Sequence, residues 1–90
     1  VPRVPSAAAA HIGRRVADTR RRYTLTQDQL AVRADIDSSN LRSYESGRAM
    51  MNIQTLVRLA DALDVEPGYL LEGLTLDLFG AAAERGRKAG

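Results

Sequence analysis

Ser38, Ser39, Arg42 and Ser43 fall within roughly 140° of arc if their segment is helical, at about 100° per residue. Such a face is small, polar and cationic, and the chemistry it suits is reading base edges. Only Arg42 can make the two-pronged bond to guanine that is worth ~1–3 kcal/mol of discrimination, whereas a serine hydroxyl bonds to almost any base. Asn40 lies to the side of this face, in reach of a phosphate. Upstream, Gln27 opens a second short segment, where its amide and the free N–H groups of a helix start can grip a phosphate oxygen. Reaction chemistry has no comparable grouping. One histidine, no cysteine, no glycine-rich phosphate loop and no carboxylates at ligand spacing predict no enzyme, no metal site and no cofactor.

These side chains need two helices to present them. Thr26 with Gln29 three residues on is a capping-box start, and Leu30, Ala31 and Ala34 give the helix that follows one apolar face. Asp35, Ile36 and Asp37 interrupt it, Asp37 standing as the N-cap of a second helix over residues 38–46. Leu41 and Tyr44 form that helix's packing side, and Gly47 is its stop. The stretch 26–48 therefore reads as a helix-turn-helix motif whose second helix can enter a major groove about 12 Å wide.

The remaining elements are scaffold. A first helix ends near Arg22, with Ile12, Val16, Thr19 and Tyr23 on one face and Arg14, Arg15, Arg21 and Arg22 decorating the rest. His11 at its start is expected to be exposed and idle. Asn52 caps a fourth helix whose Ile53, Leu56, Val57, Ala60 and Leu63 form a full apolar stripe. Pro67 suits the first position of a fifth helix, to about Glu72, with Leu70 and Leu71 closing the domain beneath helices 1 and 4. The chain divides into a flexible arm over residues 1–8, a domain over 9–74 and a tail over 75–90. Leu74, Leu76, Leu78 and Phe79 are more apolar than a solvated tail needs. They fold back on their own domain, or meet a second copy or another protein.

With 90 residues and 44% hydrophobic content the chain makes one domain of modest stability. No apolar run approaches the ~18 residues that span a bilayer, and VPRVPSAAAA lacks the apolar core of a secretory leader. Absence of cysteine fits a reducing interior, so a cytoplasmic protein is expected, nucleoid-associated when bound to DNA. Arginine supplies twelve of the thirteen basic residues, a codon bias that suggests a high-GC bacterial genome. The net charge of +2 is unevenly spread: residues 1–25 carry +5, 26–48 carry −1, 49–79 carry −4 and 80–90 carry +2. A basic N-terminal end and an acidic C-terminal half would orient the domain on a polyanion.

The blocks IGRRVADTR, TQDQLA, LRSYESGR and NIQTLVRLADALDV, in that order and spacing, resemble the phage-repressor (Cro/cI, XRE-type) family of helix-turn-helix domains over about Ile12 to Leu74. The resemblance implies an all-α, five-helix lambda-repressor-like fold that binds double-stranded DNA as a transcriptional regulator, most often a repressor. It implies a homodimer pairing on two half-sites about one DNA turn apart. By the same resemblance Ser46 and Arg48 grip the DNA backbone with Gln27, and Arg20 pairs with Glu45 to tie helix 1 to the recognition helix. This sequence departs from the family's pattern at Asp35, where the turn glycine usually stands, and at Met51, where proline does. Two other readings remain open. One is an antitoxin-type autorepressor whose tail binds a toxin. The other is a protein interaction module that kept the fold and lost DNA binding, which the acids Asp35 and Asp37 near the groove would favour.

Overall fold

A computed structural model describes residues 7–80. Five α-helices follow in chain order: α1 Ala7–Arg22, α2 Gln27–Ala34, α3 Ser38–Ser46, α4 Ile53–Leu63 and α5 Pro67–Leu70. A 3-10 turn at Leu76–Phe79 ends the described chain. Local chemistry sets most of these boundaries. The Thr26 hydroxyl accepts the Gln29 N–H at 3.1 Å while the Gln29 side chain accepts the Thr26 N–H at 2.8 Å, a reciprocal cap that starts α2. Asn52 starts α4 by accepting from the Thr55 N–H at 2.8 Å, and Gly47 ends α3 in the left-handed region at φ 82°. Pro67 occupies the opening of α5, which is one turn long and stops at Leu70 rather than running to Glu72.

The core is aliphatic. Leu30 of α2, Leu41 of α3, Leu59 and Leu63 of α4, Leu70 of α5 and Val16 of α1 are wholly buried together. Met51, at the position where the family has proline, points into this core, so the loop before α4 is anchored by burial instead of by a ring. Three apolar residues assigned to inner faces lie outside. Tyr23 is 48% exposed, because α1 ends at Arg22 and the chain turns before that tyrosine can complete the stripe. On α4, Leu59 and Leu56 take the buried side, leaving Ile53 72% and Val57 46% exposed. A stripe broad enough to satisfy a helical period exceeded the surface that neighbours cover. The N-terminal boundary also moves. Ala7 and Ala8 form the first turn of α1, with Ala8 buried, and the rest of the proposed arm lies outside the described residues.

Helices α1 and α3 cross at two glycines. A Cβ on Gly13 would stand 2.1 Å from the carbonyl oxygen of Tyr44 and 2.8 Å from that of Glu45. One on Gly47 would stand 2.8 Å from Cα of Ala10. The missing side chains let α1 lie directly on the backbone of the second half of α3. That contact fixes the tilt at which α3 leaves the domain.

The turn between α2 and α3 is built without its customary glycine. Asp35 adopts the left-handed conformation at φ 58°, ψ 49° and its N–H closes α2 on Ala31 and Val32. Arg58 of α4 holds it from outside, donating to the Asp35 carbonyl at 3.2 Å and to its carboxylate at 3.3 Å. Left-handed backbone costs a non-glycine residue roughly 1–2 kcal/mol, although aspartate tolerates it better than most. Asp35→Gly should therefore stabilise modestly, by about 0.5 kcal/mol after the exposed ion pair and the looser unfolded chain are set against the relief. Thermal melting would register this as a rise of about 2–4 °C. A fall instead would mean that the Arg58 contact outweighs the backbone strain.

Candidate nucleic-acid interface

Glu45 sits at the base of the interface, on the inner side of α3 with its side chain 5% exposed. Arg20 of α1 meets it with two parallel bonds, Nε to Oε2 at 2.7 Å and Nη2 to Oε1 at 3.0 Å. The same guanidinium donates through Nη1 to the carbonyl of Leu25 at 2.8 Å, which pins the loop leading into α2. Gln27 completes the cluster by donating from Nε2 to Glu45 Oε1 at 2.9 Å. One buried carboxylate thus joins α1, the start of α2 and α3. Among the described residues no buried side-chain nitrogen or oxygen lacks a hydrogen-bond partner.

This cluster sets the pose of Gln27. One hydrogen of its amide nitrogen is committed to Glu45, leaving the second beside the open first turn of α2. There the backbone N–H groups of Gln27 and Asp28 precede the first intrahelical bond and remain available to an anion.

On α3 the outer residues divide by what they already touch. Ser38 and Ser43 are half-buried, while Ser39, Asn40 and Arg42 are exposed. Asp37 holds the N-cap position, where its carboxylate accepts the hydroxyl of Ser39 rather than a well-formed capping bond from the helix backbone. The Ser39 bond foremost, with weaker help from the backbone N–H groups of Asn40 and Ser39, holds the Asp37 carboxyl below the usual carboxylate range. With its hydrogen engaged by Asp37, the Ser39 oxygen is left to accept. Arg42 reaches across the turn to Asp28, Nη2 to Oδ1 at 3.3 Å.

Ser46, the last residue of α3, turns its hydroxyl back to donate to the Ser43 carbonyl at 3.1 Å, and Arg48 beyond it is exposed. The tail residues separate. Leu74 packs against the core and the 3-10 turn rests on α1, yet Leu76 is 63% and Phe79 36% exposed. Leu78 is half-buried. Phe79 and Leu74 border an apolar groove floored by Ile12, Met51 and Leu56, with Ile53 on its rim. The bases beyond Gly80 lie outside the described residues.

Several contacts carried no signal in the sequence. His11, expected to be idle, bonds through Nε2 to the Glu72 carbonyl at 2.6 Å. Arg15 and Arg22, expected to decorate α1, both engage Tyr69. Arg15 donates to its carbonyl at 2.6 Å and lies 4.5 Å from the ring centroid, and Arg22 donates to the phenol oxygen at 2.6 Å. The Arg22 bond pulls the Tyr69 phenol below its usual range and raises Arg22 in turn. Arg15 and Arg22 stand two turns apart on one face of α1, but the aromatic they clasp lies some fifty residues away and only the folded chain selects it.

An exposed polar and cationic helix, set across a tight turn from a helix whose open N-terminus lies beside it, defines a DNA-binding helix-turn-helix domain. Residues 13–74 match the helix-turn-helix domain family. The chain belongs to that family, in its Cro/cI-type branch of transcription-regulator domains, and not to a family of enzymes. It is similar to the restriction-modification controller protein C.AhdI from Aeromonas hydrophila, with 31% identity and a TM-score of 0.70 over 71% of this chain and 97% of that one. It is also similar to SinR of Bacillus subtilis, the master regulator for biofilm formation, solved in complex with DNA. There the identity is 31% and the TM-score 0.65, over 68% of this chain and 98% of that one. The transcriptional repressor RstR of the cryptic phage CTXphi in Vibrio cholerae is 35% identical over 60% of this chain and 48% of its own length. The chain spans about half the length of the first curated relatives it matches. No helix among the described residues is long and apolar enough to cross a membrane.

Proposed function

We propose that this chain is the DNA-binding part of a sequence-specific transcriptional repressor, acting in the cytoplasm as a homodimer on an inverted repeat. The observation that carries the reading is the pairing of the exposed face of α3, with Arg42 at its centre, with the open N-terminus of α2. In this reading α3 enters the major groove. Arg42 reads guanine, and Ser38, Ser39 and Ser43 take adjoining positions. Gln27, with the first N–H groups of α2, grips a phosphate on one side; Asn40, Ser46 and Arg48 grip the backbone on the other. The Ser46 hydroxyl has to swing away from Ser43 to do so, whereas Arg48 is exposed and ready. The known DNA complex of SinR and the repressor role of RstR support the same assignment.

The homodimer reading draws on the apolar groove beside Leu74 and Phe79, together with exposed Leu76, Ile53 and Val57. Solvent-facing apolar side chains around a groove, as Ile53 and Phe79 are here, are the mark of a surface that a second protein covers. A symmetric pair is the commonest way to cover it and would set two α3 helices one DNA turn apart.

Selection from random duplexes, with affinity repeated at several salt concentrations, tests the whole reading. An inverted repeat with half-site centres about one turn apart and a steep loss of affinity with salt is expected. On the selected site, Arg42→Ala should flatten the preference for guanine by about 5- to 100-fold, whereas Gln27→Ala should weaken all duplexes alike. Equal loss of preference in both variants would overturn the division between reading and gripping. Enrichment of no sequence at all would leave the fold serving protein contacts, through the groove at Leu74 and Phe79.

A further inference from the structure

Asp28 is an acid where a DNA-binding surface would be expected to have none. It stands in the first turn of α2, beside the open N–H groups that a phosphate would approach, and a carboxylate there repels the phosphate. Its side chain is 71% exposed, so burial does not explain it. What it does touch is Arg42, whose Nη2 lies 3.3 Å from its Oδ1 across the turn between the two helices.

A guanidinium carries five N–H donors in a rigid fork. Asp28 engages Nη2 from the α2 side with one bond, and Nη1 together with the second hydrogen of Nη2 can still form a fork on the O6 and N7 acceptors of guanine. We propose that Asp28 is a specificity-setting residue: it aims Arg42 at the base edge and keeps it from settling on a phosphate. The inference rests on the reading role given to Arg42 above. The carboxylate acts twice. It attracts the arginine, which arrives at the groove with one orientation already selected, so less side-chain freedom is lost on binding. It also repels the sugar-phosphate backbone, which weakens indiscriminate binding more than specific binding. Discrimination is a difference of two affinities, and a repulsive group near the alternative target widens it. As a contribution to folding, an exposed pair of this kind is minor.

The test measures Asp28→Ala on three duplexes: the selected site, the same site with the guanine replaced, and a random sequence. Each is repeated in an Arg42→Ala background. Asp28→Ala should tighten the random duplex about two- to fivefold and reduce the guanine preference by a similar factor, the scale of a single exposed ion pair. In the Arg42→Ala background it should still tighten the random duplex while changing no base preference. Asp28→Asn, which keeps an accepting oxygen and loses the charge, should raise random binding as alanine does but retain more of the preference. A preference that survives Asp28→Ala although Arg42→Ala abolishes it overturns this inference alone. One that survives Arg42→Ala overturns the reading role of Arg42 and this inference with it. Equal effects of Asp28→Ala on preference in both backgrounds would also overturn it, since the carboxylate would then act without the arginine.

Discussion

Replacing Gly13 with alanine should unfold much of this domain at temperatures where the parent chain is intact. The added methyl would sit 2.1 Å from a backbone carbonyl oxygen of α3, and backbone cannot rotate aside as a side chain does. To fit it, α1 and α3 must separate by more than an ångström along the contact that orients the recognition helix. Overpacking of well-packed contacts costs about 1–3 kcal/mol and occasionally more. Alanine's better helix propensity returns at most about 1 kcal/mol. With the clash against backbone at the upper end of that range, a net loss of about 2 kcal/mol is a large share of the stability of a domain this small, and should lower the melting temperature by roughly 8–16 °C. Because the displacement also tilts α3, affinity for the selected duplex should fall even below the new melting temperature. An unchanged melting curve would mean that the two helices have slack that the crossing does not suggest.

Arg20→Ala is the second large effect. It leaves Glu45, almost wholly enclosed, with Gln27 as its remaining side-chain donor. Removing one partner of a buried ion pair costs about 3–5 kcal/mol; partial access to water and the bond from Gln27 place this case near the lower figure. The shared carboxylate also links this pair to Gln27. An orphaned Glu45 will draw the Gln27 amide more tightly and turn it from the phosphate proposed for it, so weaker binding to every duplex should accompany the fall in melting temperature. Replacing both partners by apolar residues of similar size, Arg20→Met with Glu45→Leu, should restore much of the stability, because the cost lies in the unmatched charge. It should not restore the grip of Gln27. Melting curves and salt-dependent binding of the single and double variants separate these two consequences. Loss of stability with unaltered affinity would show that Glu45 does not position Gln27.

The two effects share a cause. α3 has few buried side chains of its own, Leu41 foremost, and its pose depends on what α1 does to its inner side. The glycine crossing sets the distance and the Arg20–Glu45 bonds set the rotation. A helix held by two such constraints has a fixed pose, which is what the reading role proposed for Arg42 needs.

The sequence by itself determined the elements and most of their ends. Thr26 with Gln29, Asn52, Gly47 and Pro67 act through hydrogen bonds or torsional limits within a few residues, so their consequences are local and can be read from spacing alone. It also determined the exposed face of α3, because a period of 3.6 residues places Arg42 opposite Leu41 and Tyr44 without knowledge of any neighbour. Tertiary structure decided how far each apolar stripe is covered: Tyr23, Ile53 and Val57 satisfy a helical period, but coverage depends on where the adjoining helix ends. It decided the partners of charges as well. Arg15 and Arg22 find Tyr69, Arg58 finds Asp35 and Arg42 finds Asp28. Long side chains take the nearest complementary group in space, and separation along the chain says nothing of that distance. Gly13 is the clearest instance, since a glycine in a helix reads as a weak point until the backbone of another helix is found lying against it.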